Sequence, residues 1–305
     1  MNSMSQNDAT DNSSLFPYLN QKIVSSASGF SRMHTLRGST LDLKAGHAFV
    51  SDYSVIEETS NWPVKDLIKG NVPRPFLIPS EIKTDGPSTY IPSTGFYHWL
   101  IEDLPPIIRV MEEHSIRKVE IYDKAPTYVL DFLSRFEIEH RRHPRFSRFD
   151  SIIVPERKQN VGNANPEDMK LLRSFFLNES LLQIKSEKLY VSRRLSSRSP
   201  KFEKNLEEYL ANIGWNIVYL EKLDLFSQVA LFKSASAVIG VHGAGLSGMV
   251  FCERDIPVIE IFPLERDLKC FENLAKSIGQ NFQRIPFMAD SSEIPEQLKY
   301  LIGLP

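Results

Sequence analysis

The chain has little of what would settle its class at a glance. Only two cysteines, Cys252 and Cys270, occur in 305 residues. Their spacing suits neither a metal centre nor a disulfide framework, so a reducing, cytoplasmic setting is the expectation. Charge of either sign is not in excess: 36 Lys+Arg against 38 Asp+Glu leave a formal net charge of -2. That balance excludes a whole-molecule electrostatic footprint for nucleic acid. The one basic run, Arg141, Arg142, Arg145 and Arg148, reads as a solvated face or a patch for acidic partners. No long apolar run exists either. The most apolar stretch, 235–251, contains His242 and four glycines, too short and too polar to cross a bilayer, so membrane contact would be peripheral. Residues 1–14 lack the basic-then-apolar order of a signal peptide and read as a disordered lead.

What is present is ordinary globular material. A hydrophobic share of 42% is enough for two cores of roughly 100–200 residues each. Residues 15–92 are rich in proline, glycine and serine, with brief strands expected at 48–50 and 76–78. Helical periodicity starts at 97–113, where Trp99, Leu100, Leu104, Ile107, Ile108 and Met111 share a face. Pro105 and Pro106 predict a kink there, or two short helices. Next come a strand at 118–122, a helix at 127–136, a strand at 151–154 and a polar loop at 155–166. Asn165 then caps a helix at 166–182.

The C-terminal half alternates more cleanly. Strands are expected at 188–192, 215–219, 237–241, 258–262 and 282–284. Helices are expected at 202–213, 225–234, from 246, at 267–278 and at 291–301. Such alternation predicts an α/β fold of two domains with helix-covered parallel sheets, meeting near 160–185. The division is 1–14 (lead), 15–165, 166–290, and a 291–305 helix expected to pack back on the N-terminal domain.

The strongest local signal is Val238-Ile239-Gly240-Val241-His242-Gly243-Ala244-Gly245-Leu246. A buried strand runs into glycines and then a helix, a turn that lets backbone N–H groups approach a pyrophosphate. His242 is placed to donate to a phosphate or sugar oxygen. Gly243, Gly245 and Gly248 also match G-x-G-x-x-G, which admits a nicotinamide-dependent oxidoreductase as an alternative. Against it, only about 60 residues follow, too few for a dinucleotide fold that opens on this motif. Glu260 ends the next strand, where it could accept from ribose hydroxyls. Arg193 and Arg194 follow the strand at 188–192, with Arg198 close behind, and suit bidentate phosphate contacts. Two adjacent side chains leave a strand on opposite sides, so one of the pair should face the ligand. His98 and Glu102 lie four residues apart on one helix face, with Asp103 rotated about 100° away. A carboxylate beside a histidine in a cleft is a candidate base. D-x-D, the usual chelator of a divalent metal with a nucleotide diphosphate, is absent.

These segments together resemble glycosyltransferase family 61, including its bacterial capsular polysaccharide biosynthesis members. The resemblance runs through Phe96-Tyr97-His98-Trp99-Leu100-Ile101-Glu102-Asp103-Leu104-Pro105, Tyr190-Val191-Ser192-Arg193-Arg194 and Phe226-Ser227-Gln228-Val229-Ala230-Leu231-Phe232. It continues through His242-Gly243-Ala244-Gly245-Leu246 and Val258-Ile259-Glu260-Ile261-Phe262-Pro263. It implies a GT-B fold, two Rossmann-like domains facing across a cleft, with the donor in the C-terminal one. The implied activity is inverting, metal-independent transfer from a nucleotide sugar, UDP-linked by expectation, to a saccharide or lipid-linked glycan, with no cofactor. Glu102 becomes the implied base, aided by His98 and Asp103. Arg193, Arg194, Arg198, His242, Gly243, Ala244, Gly245 and Leu246 become donor and phosphate contacts, and Glu260 the ribose contact. A catalytically silent nucleotide- or glycan-binding protein on the same fold is the other alternative.

Overall fold

A computed structural model describes residues 34–42, 47–49, 80–92, 95–144, 146–155, 158–159, 161–178, 184–185 and 187–303. The lead at 1–14, the strand at 76–78 and Arg145 lie outside these residues.

The C-terminal half has five strands: β8 (Lys188–Val191), β9 (Asn216–Val218), β10 (Ala237–Val241), β11 (Val258–Pro263) and β12 (Phe282–Phe287). All pair in parallel, in the order β12-β11-β10-β8-β9. β10 is buried along its whole length, as its unbroken apolar run demands of a central parallel strand. Helices cover both faces. Helix α4 (Glu203–Asn212) and α7 (Glu296–Ile302) close one side, over a core of Tyr190, Phe202, Leu206, Ile239, Phe287 and Leu298. Helix α5 (Leu225–Ser234), a 3-10 helix (Ala244–Phe251) and α6 (Cys270–Ile278) close the other. In chain order this sheet reads second-first-third-fourth-fifth. Connections from β8 and β10 therefore leave in opposite directions, which opens a crevice at their carboxyl ends.

The N-terminal half is built on a seven-stranded mixed sheet. Its strands are β1 (His34–Asp42), β2 (His47–Phe49), β3 (Ser80–Ile82), β4 (Thr89–Ile91), β5 (Lys118–Tyr122), β6 (Glu139–His143) and β7 (Phe146–Val154). Their order is β2-β1-β7-β4-β5-β6, with β3 against β7; β1 alone makes antiparallel pairs. Helices α1 (Leu104–Glu113), α2 (Thr127–Arg135) and α3 (Pro166–Leu177) lie between this sheet and the other half. As expected, Asn165 caps α3 by accepting from the Glu167 and Asp168 N–H groups. One core runs from Ile91 and Trp99 through Phe132 and Phe176 to Leu246 and Phe271, so the halves are welded by packed helices.

Two expectations need correcting. The C-terminal helix packs on its own half: Leu298 is fully buried among the residues of β8, β10 and α4, and the Tyr209 hydroxyl donates to Gly303 O. Burial of that leucine is worth roughly 1.5–3 kcal/mol. Within the basic run, Arg141 is not part of a solvated face, whereas Arg142 is exposed. Arg141 sits in β6 directly opposite Glu120 of β5, and this fully buried carboxylate needs a cation. At the double proline the chain forms two short helices, His98–Asp103 and Leu104–Glu113, one of the two outcomes expected there. Pro105 and Pro106 have no N–H to return to Ile101 and Glu102, and His98–Asp103 widens into a π-helix. It closes when the Leu104 N–H donates to Trp99 O, five residues back.

Candidate active site

The widened turn sets the N-terminal contribution. Such turns often carry functional groups because they re-aim side chains without ending the helix. Here the turn leaves His98 half exposed and buries Glu102. His98 Nδ1 lies 3.0 Å from Glu102 Oε2, with side-chain exposures of 45% and 3%. The other oxygen, Oε1, accepts from the Gly162 N–H at 2.7 Å. Asp103 is buried on another side; burial, and then the Asp103 charge, push the Tyr128 hydroxyl up to about 12.

The C-terminal contribution sits at the switch between β8 and β10. Arg193, just past β8, turns inward. Its guanidinium donates to His242 O and, at 3.0 Å, to Ser196 Oγ. Its backbone N–H donates to Glu203 Oε1 at 2.7 Å. Burial, reinforced by the neighbouring Arg198 charge, holds the Arg193 guanidinium below its ordinary pKa. An anion docking beside both would relieve that cost. Arg194 turns the other way and pairs with Glu207 of α4 at 3.0 Å. The alternation argument therefore picks one arginine, and the expected phosphate role of Arg194 is withdrawn.

The glycines after β10 allow close approach of neighbouring side chains. A Cβ on Gly243 would lie 2.5 Å from Arg193 Nη1, and one on Gly245 would lie 2.8 Å from Leu220. Gly248 packs under Phe232, whose ring would be 2.1 Å from an added Cβ. Gly248 thus serves helix packing, and the turn follows the third strand of its sheet; the dinucleotide motif is accidental. Leu246 is likewise a core residue, fully buried, with only its backbone at the turn. Arg173 of α3 ties down the far end of the 3-10 helix by donating to Val250 O and, at 2.8 Å, to Cys252 O.

A crevice of about 290 Å³ opens over this switch. Arg193, Arg198, Gly243, Ala244 and Gly245 line it from the C-terminal half. Phe96, Thr127, Tyr128 and Asp131 line it from the other. Among the lining residues that the sequence reading missed are Glu221, Leu223 and Gln228, all beyond β9. Gln228 holds that wall by donating to Leu220 O and Leu223 O at 3.1 and 3.0 Å. The signal that would have found Glu221 is its place just after the strand beside β8, which requires knowing the strand order.

Glu260, expected at a ribose, is elsewhere. It is 0% exposed, with Oε1 2.5 Å from His242 Nδ1 and Oε2 2.7 Å from Arg284 Nε. It orients His242 and has no surface to offer a sugar. His242 in turn stacks edge-on against Phe271 of α6, ring centres 5.0 Å apart. Phe271 also meets Tyr97 at 5.4 Å, and Tyr97 meets His98 at 5.5 Å. The Tyr97 hydroxyl donates to Cys270 O, and burial, then Cys270 and Glu102, push its pKa upward. Asn273 of α6 donates to Gly162 O at 3.1 Å, on the same glycine whose N–H serves Glu102. Two histidine–carboxylate pairs, one from each half, therefore flank the start of α6. Among the described residues no cluster of three or more His, Cys, Asp or Glu is arranged to hold a metal ion, and no helix is long and apolar enough to cross a membrane.

Comparison with known proteins meets this geometry. Residues 96–259 match the profile of the family described as Glycosyltransferase 61, a span that opens at Phe96 in the crevice wall and contains both histidines. Among curated proteins, the EGF domain-specific O-linked N-acetylglucosamine transferase of Drosophila melanogaster is 30% identical over 100 residues. That alignment covers 31% of this chain and 18% of the fly protein.

Proposed function

The chain belongs to glycosyltransferase family 61, and from that premise we propose that it transfers a sugar from a nucleotide donor to a saccharide or lipid-linked glycan acceptor, inverting the anomeric centre without a metal. The two halves play the roles of the two GT-B domains. Arg193, Arg198, His242 and the N–H groups opening the 3-10 helix hold the diphosphate at the β8–β10 switch. Glu221 takes the ribose role that Glu260 cannot. The observation that carries this reading is the shared contact of Phe271 with His242 and with Tyr97, the neighbour of His98. It supports the reading by linking His242 and His98 along one short aromatic wall.

The exposures refine the catalytic assignment. Glu102 is nearly inaccessible and already holds a histidine and a backbone N–H, whereas His98 reaches solvent. With a carboxylate on Nδ1, the ring keeps its proton there, which makes Nε2 the basic nitrogen. His98 then takes the acceptor hydroxyl's proton while that oxygen bonds to the anomeric carbon from the face opposite the leaving group. The bond from that carbon to the phosphate oxygen breaks, and its electron pair leaves with the nucleoside diphosphate. Arginine and helix N–H groups receive that charge. Glu102 orients the base. The fly relative's name makes UDP-N-acetylglucosamine the first donor to try, and a cytoplasmic role in surface polysaccharide synthesis is the setting this reading suits.

Glu102→Gln and His98→Gln test it. Each should keep nucleotide affinity measured by calorimetry while lowering the transfer rate by about 10²–10⁴-fold, the range for a lost general base. Full transfer in either variant would remove the pair from catalysis.

A further inference from the structure

Arg284, in the edge strand β12, lies outside the matched span, yet it touches both supports of His242. Parallel register sets Arg284 directly beside Glu260. Its Nε donates to Glu260 Oε2 at 2.7 Å, and Glu260 Oε1 lies 2.5 Å from His242 Nδ1. The rest of the guanidinium reaches the turn that leads into α6. Its Nη1 lies 2.7 Å from Asp267 Oδ1 and its Nη2 3.1 Å from Leu268 O. Its plane sits over Phe262, 3.8 Å from the ring centre. Three residues past Leu268, Phe271 packs against the same imidazole.

We propose that Arg284 is a positioning residue for His242, fixing the imidazole's tautomer through Glu260 and its aromatic flank through the 267–271 turn. Electrostatics supplies the reason. A carboxylate with no exposed surface needs a compensating cation beside it. Arg284 supplies that compensation and keeps Glu260 an acceptor, so the ring's proton is held at Nδ1. That leaves Nε2 as the nitrogen for a ligand, and it has no partner among the described residues. A planar fork is needed because Glu260 and the turn must be held at once, which the point charge of lysine does poorly. The link to catalysis rests on the proposed diphosphate role of His242; the link to the ring does not.

The two are tested separately. In ligand-free protein, ¹⁵N spectra of the His242 ring, assigned by its loss in His242→Gln, should show the Nδ1–H form. Arg284→Met keeps the stem over Phe262 but removes the charge. It should destroy that signature, as should Glu260→Gln, with Arg284→Lys restoring it in part. Calorimetry with inorganic pyrophosphate should then show affinity weakened about tenfold or more in Arg284→Met and in Glu260→Gln, the order for losing an orienting partner of a histidine. The double variant should be no weaker than either single one. An unchanged ring spectrum in Arg284→Met overturns the proposal whatever the protein binds, and so do losses that multiply in the double variant. If Arg284→Met fails to fold, an unchanged spectrum in Glu260→Gln overturns it equally. Spectra that change as expected in a protein blind to pyrophosphate uphold the positioning role and refute the donor reading instead.

Discussion

Glycines 243 and 248 share one motif in the sequence and should part company on substitution. An alanine methyl at 243 meets the tip of the Arg193 side chain, which can swing away. At 248 it meets the ring of Phe232, itself buried to 1% exposure. Gly243→Ala should therefore unfold within about 1 kcal/mol of wild type, yet bind nucleoside diphosphates more weakly because the guanidinium is displaced. Gly248→Ala should lose about 1–3 kcal/mol from overpacking, read as a lower urea midpoint at constant slope. Equal stabilities in the two variants would contradict the packing described. The same contrast explains why G-x-G-x-x-G misleads in a sequence: a pattern of glycines reports close approach, without saying what approaches.

Strand pairing decides the fate of charges that a linear reading leaves open. Glu120 is fully buried in β5. Burial alone would push its carboxyl up, but hydrogen bonds from His143, Arg141 and Ser88 outweigh that and hold it below the usual carboxylate range. A carboxyl lowered on folding contributes stability above its unfolded pKa and loses it as pH falls through the folded value. Glu120→Gln should thus be less stable by about 3–5 kcal/mol at pH 7, the range for breaking a buried pair. The gap should shrink below about pH 4.3, the ordinary glutamate value. Urea titrations from pH 7 to pH 3 measure this, and a gap independent of pH would contradict it.

β5, β10 and α5 were legible to the residue, because each is an unbroken apolar or periodic run between clear stops. β6 was not, because its charges face Glu120 across a register that the sequence does not print. Arg284 was missed for the same reason: its partner lies 24 residues earlier and is chosen by β11–β12 pairing. The π turn at 98–103 escaped a reading that weighs prolines as breakers, whereas here they redirect hydrogen bonds around Glu102.

At the level of the whole molecule, the site exists because two sheets share one helical core. β8 and β10 open a crevice that Phe96, Thr127, Tyr128 and Asp131 line from the other half, and α6 meets His242 through Phe271 and, through Tyr97, the turn that carries His98 and Glu102. The family resemblance was readable from five separated segments, and the pairing of each histidine with a carboxylate was half readable. His98–Glu102 follows from helical spacing, whereas His242–Glu260 needs the adjacency of β10 and β11. The strand order second-first-third-fourth-fifth, which puts Arg193 and Gly243 at a switch point, belongs to neither segment alone.

Everything turns on a diphosphate held by cationic side chains and main-chain N–H groups at that switch. Titration calorimetry of a panel of nucleoside diphosphates, run with a chelator present, tests it most directly on wild type and Arg193→Met. Wild type should bind at least one of them without divalent ions, and Arg193→Met should weaken that affinity about ten- to a hundredfold, as for a lost charged hydrogen bond. Wild-type affinity in Arg193→Met, or binding that vanishes with the chelator, would contradict the account.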